Sequence, residues 1–252
     1  MFGLFKKRQK TGVSKGGSTM YEYKTTDKVI GTESLAGGNE IHLEAISAHI
    51  EKHIGKVDFV FHELISALVH IDVHIVYPTP ARNFYTLVTS GMSDRPMNIP
   101  SPEVKDWEYG EVMLCLPPEW KIDEEALKDE KNYWPIRMLK FIARFPHEYN
   151  SWVSFGHTIP NGNPPNPLAD NVGFCGVLLD VPVTTGKEFP LLQLEDKRIL
   201  FYALIPLFED EMNFKLQEGN DALLELFDQH SVTELINVNR RSVVGQSTGR
   251  RR

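Results

Sequence analysis

The sequence predicts an α+β fold, a largely antiparallel mixed sheet with helices packed on it. Strand-like runs follow one another between residues 57 and 116, while helical patterns lie before and after that region. An α/β protein would instead alternate helices and strands along the chain. The hydrophobic fraction is 41%, and 14 Phe, 8 Tyr and 4 Trp residues are enough to fill the core of one domain.

A first helix is predicted between Asn39, which suits an N-cap, and Gly55, which suits the residue after a helix. Between them apolar residues recur at helical spacing: Leu43, Ile46, Ile50 and Ile54. His49 and His53 are four residues apart, as metal ligands can be, but Glu51 lies in the wrong place for the His-Glu-x-x-His pattern. We therefore interpret these histidines as one flank of the helix.

The central pattern of the chain covers residues 69–98 and predicts a β-hairpin. In its first half apolar and polar residues alternate, as in a strand with one apolar face: Ile71, Val73 and Ile75 against His70, Asp72 and His74. Pro78 and Pro80 end this strand, because proline cannot donate to a sheet ladder. Residues 84–89 are β-branched and aromatic enough to pair back on it.

Further elements are predicted by the same reasoning. The other strands are expected at residues 57–66, 109–116, 174–179 and 199–207. A short charged helix is expected at residues 123–131, and a last helix begins at Asn220. Between them a stronger helix should end at Phe145, because Pro146 disfavours helical geometry in the residue before it. Its apolar side carries Trp134, Met138, Ile142 and Phe145.

Four segments carry a family resemblance. The hairpin reads His-Ile-Asp-Val-His-Ile-Val and then Phe-Tyr-Thr-Leu-Val-Thr-Ser-Gly-Met-Ser-Asp. The others are Tyr-Gly-Glu-Val-Met-Leu-Cys-Leu-Pro-Pro-Glu-Trp (109–120), Tyr-Trp-Pro-Ile-Arg-Met-Leu-Lys-Phe (133–141) and Phe-Gly-His-Thr-Ile-Pro-Asn-Gly (155–162). Together, in one order over residues 40–210, they resemble the bacterial branch of the suppressor of fused (SUFU) family. The resemblance implies a single SUFU-like domain.

The resemblance also implies a non-enzymatic function in protein binding, with no cofactor. Eukaryotic members of the family sequester a transcription factor, and bacterial members are associated with immunity to secreted toxins. By this resemblance the chain is expected to be a bacterial antitoxin or immunity protein that neutralises a toxin by masking it. A housekeeping scaffold unrelated to toxins is the alternative, and a toxin gene beside this one would separate the two.

Composition divides the chain into three parts. Residues 1–38 are rich in Lys, Gly, Ser and Thr and are predicted to be a flexible tail, with a short ordered piece around residues 20–23. Residues 39–236 would form the SUFU-like domain. Residues 237–252 are polar and basic and are predicted to be a disordered tail. Both tails are expected to be dispensable for folding, and the oligomeric state is left open.

Charge and hydropathy narrow the classes of partner. The formal net charge is -7 and the sequence pI is about 5.7, whereas a nucleic-acid-binding protein usually has a basic face. No run approaches the ~20 apolar residues that span a bilayer, and the first residues lack the order of a secretory signal. We therefore expect a cytoplasmic protein that binds neither nucleic acid nor membrane. Cys115 and Cys175 are expected to be reduced and buried.

Two groups of residues leave a hydrolase as an alternative function for this protein. In the first, His70, Asp72 and His74 share one face of a strand. A spacing of ~6.6 Å between alternate residues is loose for three ligands of one ion, so no metal site is expected.

The second group has the residue types of a nucleophile, a base and an orienting residue. These are Cys175, His157 and either Asp170 or Asn171. However, Cys175 lies in an apolar strand-like run, which favours an inert, buried thiol over a reactive one.

The longest irregular segment inside the domain, residues 156–173, is the predicted protein-binding surface. Binding functions concentrate on long ordered loops. The candidate contact residues are Trp152, Phe155, His157, Asn161, Asn163 and Asp170. When ten basic residues of the two tails are left out, the formal charge of the rest is about -17. The expected partner is therefore a basic protein, such as a cationic toxin.

Overall fold

A computed structural model describes residues 8–23, 40–63, 68–101 and 106–245. Among them a hairpin, β1 (Arg8–Val13) and β2 (Thr19–Tyr23), stands apart from one large sheet. The sheet strands are β3 (Phe59–Phe61), β4 (Asp72–Val76), β5 (Tyr85–Ser90), β6 (Gly110–Leu116), β7 (Thr158–Pro160), β8 (Gly176–Asp180), β9 (Leu191–Gln193) and β10 (Arg198–Leu207). The helices are α1 (Glu40–His53), α2 (Glu130–Glu148), α3 (Glu209–Glu218) and α4 (Asn220–His230).

The sheet is mixed and largely antiparallel, which confirms the predicted fold class. Its strands lie in the order β3-β4-β5-β6-β10-β8-β7, and β9 pairs with the first residues of β10. Only the pairing of β6 with β10 is parallel among the described strands. The predicted central hairpin is present, with Asp72 opposite Ser90 and Val76 opposite Thr86.

Helices cover both faces of the sheet. On one face α2 packs on apolar residues of the central strands, in a cluster that includes Trp134, Leu139, Val73, Leu114 and Leu204. On the other face α1 covers one half of the sheet through Ile46 and Ile50, and α3 and α4 cover the half around Leu178 and Leu207. Each such buried side chain contributes about 1.5–3 kcal/mol relative to exposure, so these two layers fix the strands.

Two predictions about helices were wrong, and one helix was not predicted. The short charged helix expected at residues 123–131 is only a 3-10 turn, Ala126–Lys128, and α2 begins at Glu130. Helix α2 does not end before Pro146 but continues to Glu148. Near a helix end proline removes a single hydrogen bond, and here Phe145 and Pro146 are both buried, which favours the longer helix. Helix α3 was not predicted, because its apolar residues Met212, Phe214 and Leu216 alternate as they would in a strand.

The predicted flexible N-terminal tail, residues 1–38, contains the ordered hairpin β1–β2. The amide of Gly16 donates to the carbonyl oxygen of Leu216 at 2.8 Å, and a Cβ on Gly16 would lie 2.4 Å from the amide nitrogen of Gly219. Tyr23 Oη is 2.8 Å from Ser151 Oγ. The expectation of a flexible tail is therefore wrong for residues 8–19, whereas the short ordered piece expected around residues 20–23 lies in strand β2. Residues 1–7 and 24–38 lie outside the described part of the chain.

The predicted disordered C-terminal tail, residues 237–252, is ordered as far as residue 245. Val243 is only 2% exposed, and Arg240 forms an ion pair with Glu211. The run Asn-Arg-Arg-Ser is polar and therefore predicts an exposed segment. In the structure, however, Arg240 of this run is paired with the buried carboxylate of Glu211. Residues 246–252 lie outside the described residues.

Both cysteines are free and buried, as the sequence predicts. None of the helices in the described part of the chain is long and apolar enough to cross a membrane.

Candidate protein-interaction surface

Four aromatic side chains lie at the edge of the sheet where β7 begins: Trp107, Trp152, Phe155 and His157. We call them the aromatic patch. The rings of Trp152 and His157 are 4.4 Å apart and edge-to-face, and those of Trp107 and Phe155 are 6.2 Å apart. Trp107 is 40% exposed, and the other three are half-buried. Phe155 also contacts the buried ring of Tyr202, 4.7 Å away, which joins the patch to the core.

The backbone of residues 151–157 holds the patch in place from both sides. On one side the amide of Asn98 donates to the carbonyl of Ser151 at 2.9 Å. On the other side the amide of Gly156 donates to Leu179 at 2.7 Å, and the amide of Leu179 donates to His157 at 2.9 Å. Gly156 has a φ of 75°, in the left-handed region that glycine favours. Trp152, Phe155 and His157 are therefore presented on a backbone fixed by hydrogen bonds.

His157 is a neutral side chain at physiological pH. Burial, together with the charge of Lys215, lowers the pKa of its imidazole to about 4. Burial likewise lowers the pKa of the Lys215 ammonium to about 8, and Lys215 Nζ donates to the carbonyl of Gly156. The patch thus offers apolar and hydrogen-bonding surface with a neutral imidazole, and Lys215 supports it from beneath.

The other predicted contact residues lie beyond strand β7, in the loop that follows it. Asn161 Nδ2 donates to the carbonyls of Asn166 and Pro167, both at 2.9 Å, so this side chain holds the loop together. Asn163 and Asp170 are exposed. The structure therefore brings Trp152 and His157 into ring contact and pairs Phe155 with Trp107. Asn161, Asn163 and Asp170 instead follow strand β7.

Sequence reasoning missed two residues of this surface. Trp107 lies in the polar run Lys-Asp-Trp-Glu, and a lone tryptophan among charged residues was the available signal. Lys215 gave no comparable signal, because only the packing of α3 brings it beneath Gly156. Both lie outside the loop on which the prediction concentrated.

Only two of the three residues of the first hydrolase alternative contact each other, His70 and Asp72. His74 points to Ser90, with Nε2 and Oγ 2.9 Å apart, and burial lowers the pKa of its imidazole to about 4. Asp72 instead lies 3.1 Å from both His62 Nδ1 and His70 Nε2. The described residues contain no group of three or more His, Cys, Asp or Glu side chains arranged to hold a metal ion.

The second alternative lacks an activated nucleophile. Burial and the nearby carboxylates of helix α3 raise the pKa of the Cys175 thiol, whereas nucleophilic catalysis needs a lowered one. The proposed base, His157, is a weak base with a pKa of about 4. Asn171 donates to the carbonyl of Lys131 at 3.5 Å, and no hydrogen bond joins Cys175 to the side chain of His157, Asp170 or Asn171 among the described residues.

The domain that carries the patch is strongly acidic. Residues 40–245 contain 17 Lys and Arg against 31 Asp and Glu, a formal charge of -14. This replaces the value of about -17, because it counts Arg240 and Arg241, which lie within the ordered part of the chain, and leaves out all residues before residue 40. The hairpin β1–β2 is basic by comparison, with three basic residues and Glu22 as its only acid. The electrostatic field around the domain therefore favours cationic partners.

Sequence comparison identifies the family. A family model for the suppressor of fused protein (SUFU) matches residues 68–241, more than half of the chain. The chain therefore belongs to the suppressor of fused family. The match covers β4 to the ordered C-terminal segment, whereas α1 and the hairpin β1–β2 precede it. No match was found among curated proteins.

Structure comparison agrees with this assignment. A suppressor of fused homologue from Neisseria gonorrhoeae FA 1090 is similar, with a TM-score of 0.59 and 19% sequence identity over 83% of this chain and 100% of that chain. The crystal structure of the Sufu-Fu complex is also similar, with a TM-score of 0.56 and 14% identity over 83% of this chain and 93% of that chain. At these identities the likeness shows the fold.

Proposed function

We propose that this chain is a protein-binding module that neutralises a basic protein by covering part of its surface. The observation that carries the proposal is the aromatic patch. Its Trp and Phe side chains remain partly exposed on a fixed backbone, at the edge of an acidic domain. Aromatic residues are enriched in the energetically dominant positions of protein interfaces. A rigid backbone also reduces the entropy that association would otherwise lose.

The kind of surface favours a protein partner over a small substrate. Trp107 and Phe155 form an edge-to-face pair, and Trp107 is 40% exposed, so the pair lies at the surface. Among the described residues, no carboxylate or nucleophile forms a hydrogen bond with the neutral imidazole of His157, and catalysis would need such a partner. The family includes a protein that has been crystallised in complex with Fu, and protein binding is in keeping with that.

The acidic charge of the domain predicts a partner with a positive net charge. A net -14 over residues 40–245 would speed encounter with a cationic protein, and salt would slow it. The finer proposal is an antitoxin or immunity role, in which the covered protein is a basic toxin. A scaffold that binds a basic protein of another kind is the alternative within the same class.

The experiment begins with the full-length chain as bait in the native organism, followed by mass spectrometry. The association rate of the captured partner is then measured at low and at high salt. We expect a basic partner whose association rate falls steeply as salt rises. An acidic partner, or a rate that ignores salt, would contradict the electrostatic part of the proposal.

Co-expression distinguishes the antitoxin hypothesis from the scaffold hypothesis. The captured partner is expressed in cells with and without this chain, and growth is recorded. Growth arrest that this chain relieves supports the antitoxin. A partner that is harmless when expressed alone would refute it and leave protein binding in place.

A further inference from the structure

A buried carboxylate in helix α3 binds the guanidinium group of Arg240. Glu211 is fully buried, and the side chain of Arg240 is 11% exposed. The two nitrogens Nη1 and Nη2 of Arg240 donate to Oε1 at 2.5 Å and to Oε2 at 2.8 Å of Glu211. Nη2 also donates to the carbonyl of Pro206 at 2.6 Å. Paired donation of this kind matches the planar fork of arginine and not the single ammonium of lysine.

Three aromatic rings complete the enclosure of the guanidinium. Its carbon lies 4.9 Å from the ring centre of Phe174, 4.7 Å from that of Phe208 and 5.8 Å from that of Phe227. A cation over aromatic faces within about 6 Å is attracted by the ring quadrupoles. Carboxylate, carbonyl and rings together form a complete binding site for one arginine side chain.

A second residue of the same segment is recognised three positions later. The amide of Val243 donates to Glu211 Oε1 at 3.1 Å, and its side chain packs with Leu223 and Phe227 in the cluster under α4. Arg241, between the two, is exposed. The pocket therefore reads a pattern of Arg-x-x-Val rather than a continuous stretch of side chains.

The segment that fills the pocket comes after all of the pocket residues in the sequence. Phe174, Pro206, Phe208, Glu211, Leu223 and Phe227 build the pocket, and all precede the occupant segment in sequence. Residues 240–245 belong to no helix and pair with no strand of the sheet. The segment can therefore leave without breaking a strand pairing. A cavity of about 70 Å³ borders Arg240, which leaves this side of the segment incompletely packed.

We propose that this pocket is an arginine-recognition site that the chain fills with its own C-terminal segment. Its ligand class is a peptide with arginine followed three residues later by an aliphatic residue. Another polypeptide that carries this pattern can take the place of residues 240–243. This site is separate from the aromatic patch and goes beyond the proposed protein-covering function.

The test uses the full-length variant Arg240→Ala and a labelled peptide with the sequence of residues 237–245. We expect the peptide to bind the variant and to raise its melting temperature. Peptides carrying Arg240→Lys or Val243→Asp serve as matched controls and should bind at least tenfold more weakly. The double variant Glu211→Gln with Arg240→Ala should lose the preference for arginine. Binding that does not distinguish arginine from lysine, or no binding to the folded variant, would overturn the proposal.

A measurement on the unaltered chain covers the case in which Arg240→Ala does not fold. Hydrogen exchange of residues 237–245 is recorded with and without excess unlabelled peptide. We expect the peptide to speed exchange in that segment alone, because the displaced segment becomes exposed. The Arg240→Lys peptide should have no effect. Unchanged exchange at saturating peptide would show that the segment is a fixed part of the fold and would refute the proposal.

Discussion

Two aromatic clusters of this protein differ in what they contact. The rings of Phe174, Phe208 and Phe227 enclose Arg240, which is itself held by the buried Glu211. In the aromatic patch, by contrast, Trp107 contacts Phe155, Phe155 contacts the core, and Trp107 keeps 40% of its surface exposed. The first cluster has an occupant from its own chain. For the second we infer an occupant from another protein.

The comparison shows that composition does not distinguish a cluster that is filled by its own chain from one that remains open to another protein. Both clusters combine aromatic rings with a titratable side chain. Burial of rings around a paired ion stabilises the fold, whereas rings that remain half-exposed contribute less to it. Substitutions should therefore act mainly on stability in the first cluster and mainly on binding in the second.

The largest effect is expected for Arg240→Ala. Its removal leaves the carboxylate of Glu211 buried without its cation, and such a loss costs roughly 3–5 kcal/mol. For a domain of this size that lowers the melting temperature by roughly 6–20 °C. Arg241→Ala is the matched control, because Arg241 is exposed, and it should change the melting temperature little. Equal melting temperatures for the two variants would mean that the Arg240 cluster does not support the fold.

A second effect concerns Glu111, a fully buried carboxylate that has no ion-pair partner within 4 Å among the described residues. It accepts hydrogen bonds from Thr89 Oγ1 at 2.6 Å and from the amide and hydroxyl of Ser93 at 2.9 and 2.7 Å. Burial raises its pKa from 4.5 to about 7. A raised carboxyl pKa means that the folded state holds its proton longer than the unfolded state. Its contribution to stability is therefore full below pH 4.5 and is lost as the pH rises to about 7.

The difference of about 2.5 pKa units corresponds to about 3 kcal/mol at most. Urea unfolding of the parent and of Glu111→Gln between pH 4.5 and 8 measures it. The parent should lose stability relative to the variant as the pH rises, because glutamine cannot ionise. A constant difference across this range would show that Glu111 does not titrate as proposed. Glu211 differs from Glu111 in this respect, because its buried carboxylate forms an ion pair with Arg240.

A smaller effect is expected for Tyr23→Phe, which removes the hydroxyl that contacts Ser151. One partly buried hydrogen bond contributes about 1 kcal/mol. Tyr21→Phe in the same strand is the control and should leave stability unchanged within about 0.5 kcal/mol. If both variants unfold at the parent's urea concentration, the hairpin does not stabilise the domain, and its deletion would be harmless after all.

The smallest effect on stability is expected for Trp107→Ala in the aromatic patch. Its half-exposed ring contacts Phe155 at the surface, so the loss should stay below about 1 kcal/mol. The same urea experiment measures it. A loss of several kcal/mol would place Trp107 with the rings around Arg240, as a side chain that the fold needs, and would weaken its assignment to a binding surface.

Local patterns were enough to predict most of the sheet. The alternation around His70 to Ile75 and the apolar run at residues 199–207 both became strands, β4 and β10. Burial of one face imposes a period of two on the sequence, so that period can be read directly. Helix α3 could not be predicted from a local pattern in this way. Its buried residues include Glu211 and Lys215, whose partners come from distant segments.

The candidate site could be predicted only in part for a related reason. Trp152 and His157 are close in sequence, and their segment was identified. Asn161 and Asp170 were grouped with them by proximity in sequence, although β7 lies between the two parts. Trp107 joins the patch through a long-range contact with Phe155, which no local pattern records. The buried position of Arg240 also depends on long-range contacts, with rings from three separate parts of the chain.

We propose that the aromatic patch contacts the partner. The most direct test of this proposal is the dissociation constant of the captured partner for Trp152→Ala and His157→Ala, with Phe59→Ala as control, because Phe59 is a 50% exposed aromatic residue on the opposite edge of the sheet. We predict at least tenfold weaker binding, about 1.4 kcal/mol, for both patch variants and parental binding for the control. Folded patch variants that bind as tightly as the parent would contradict the account.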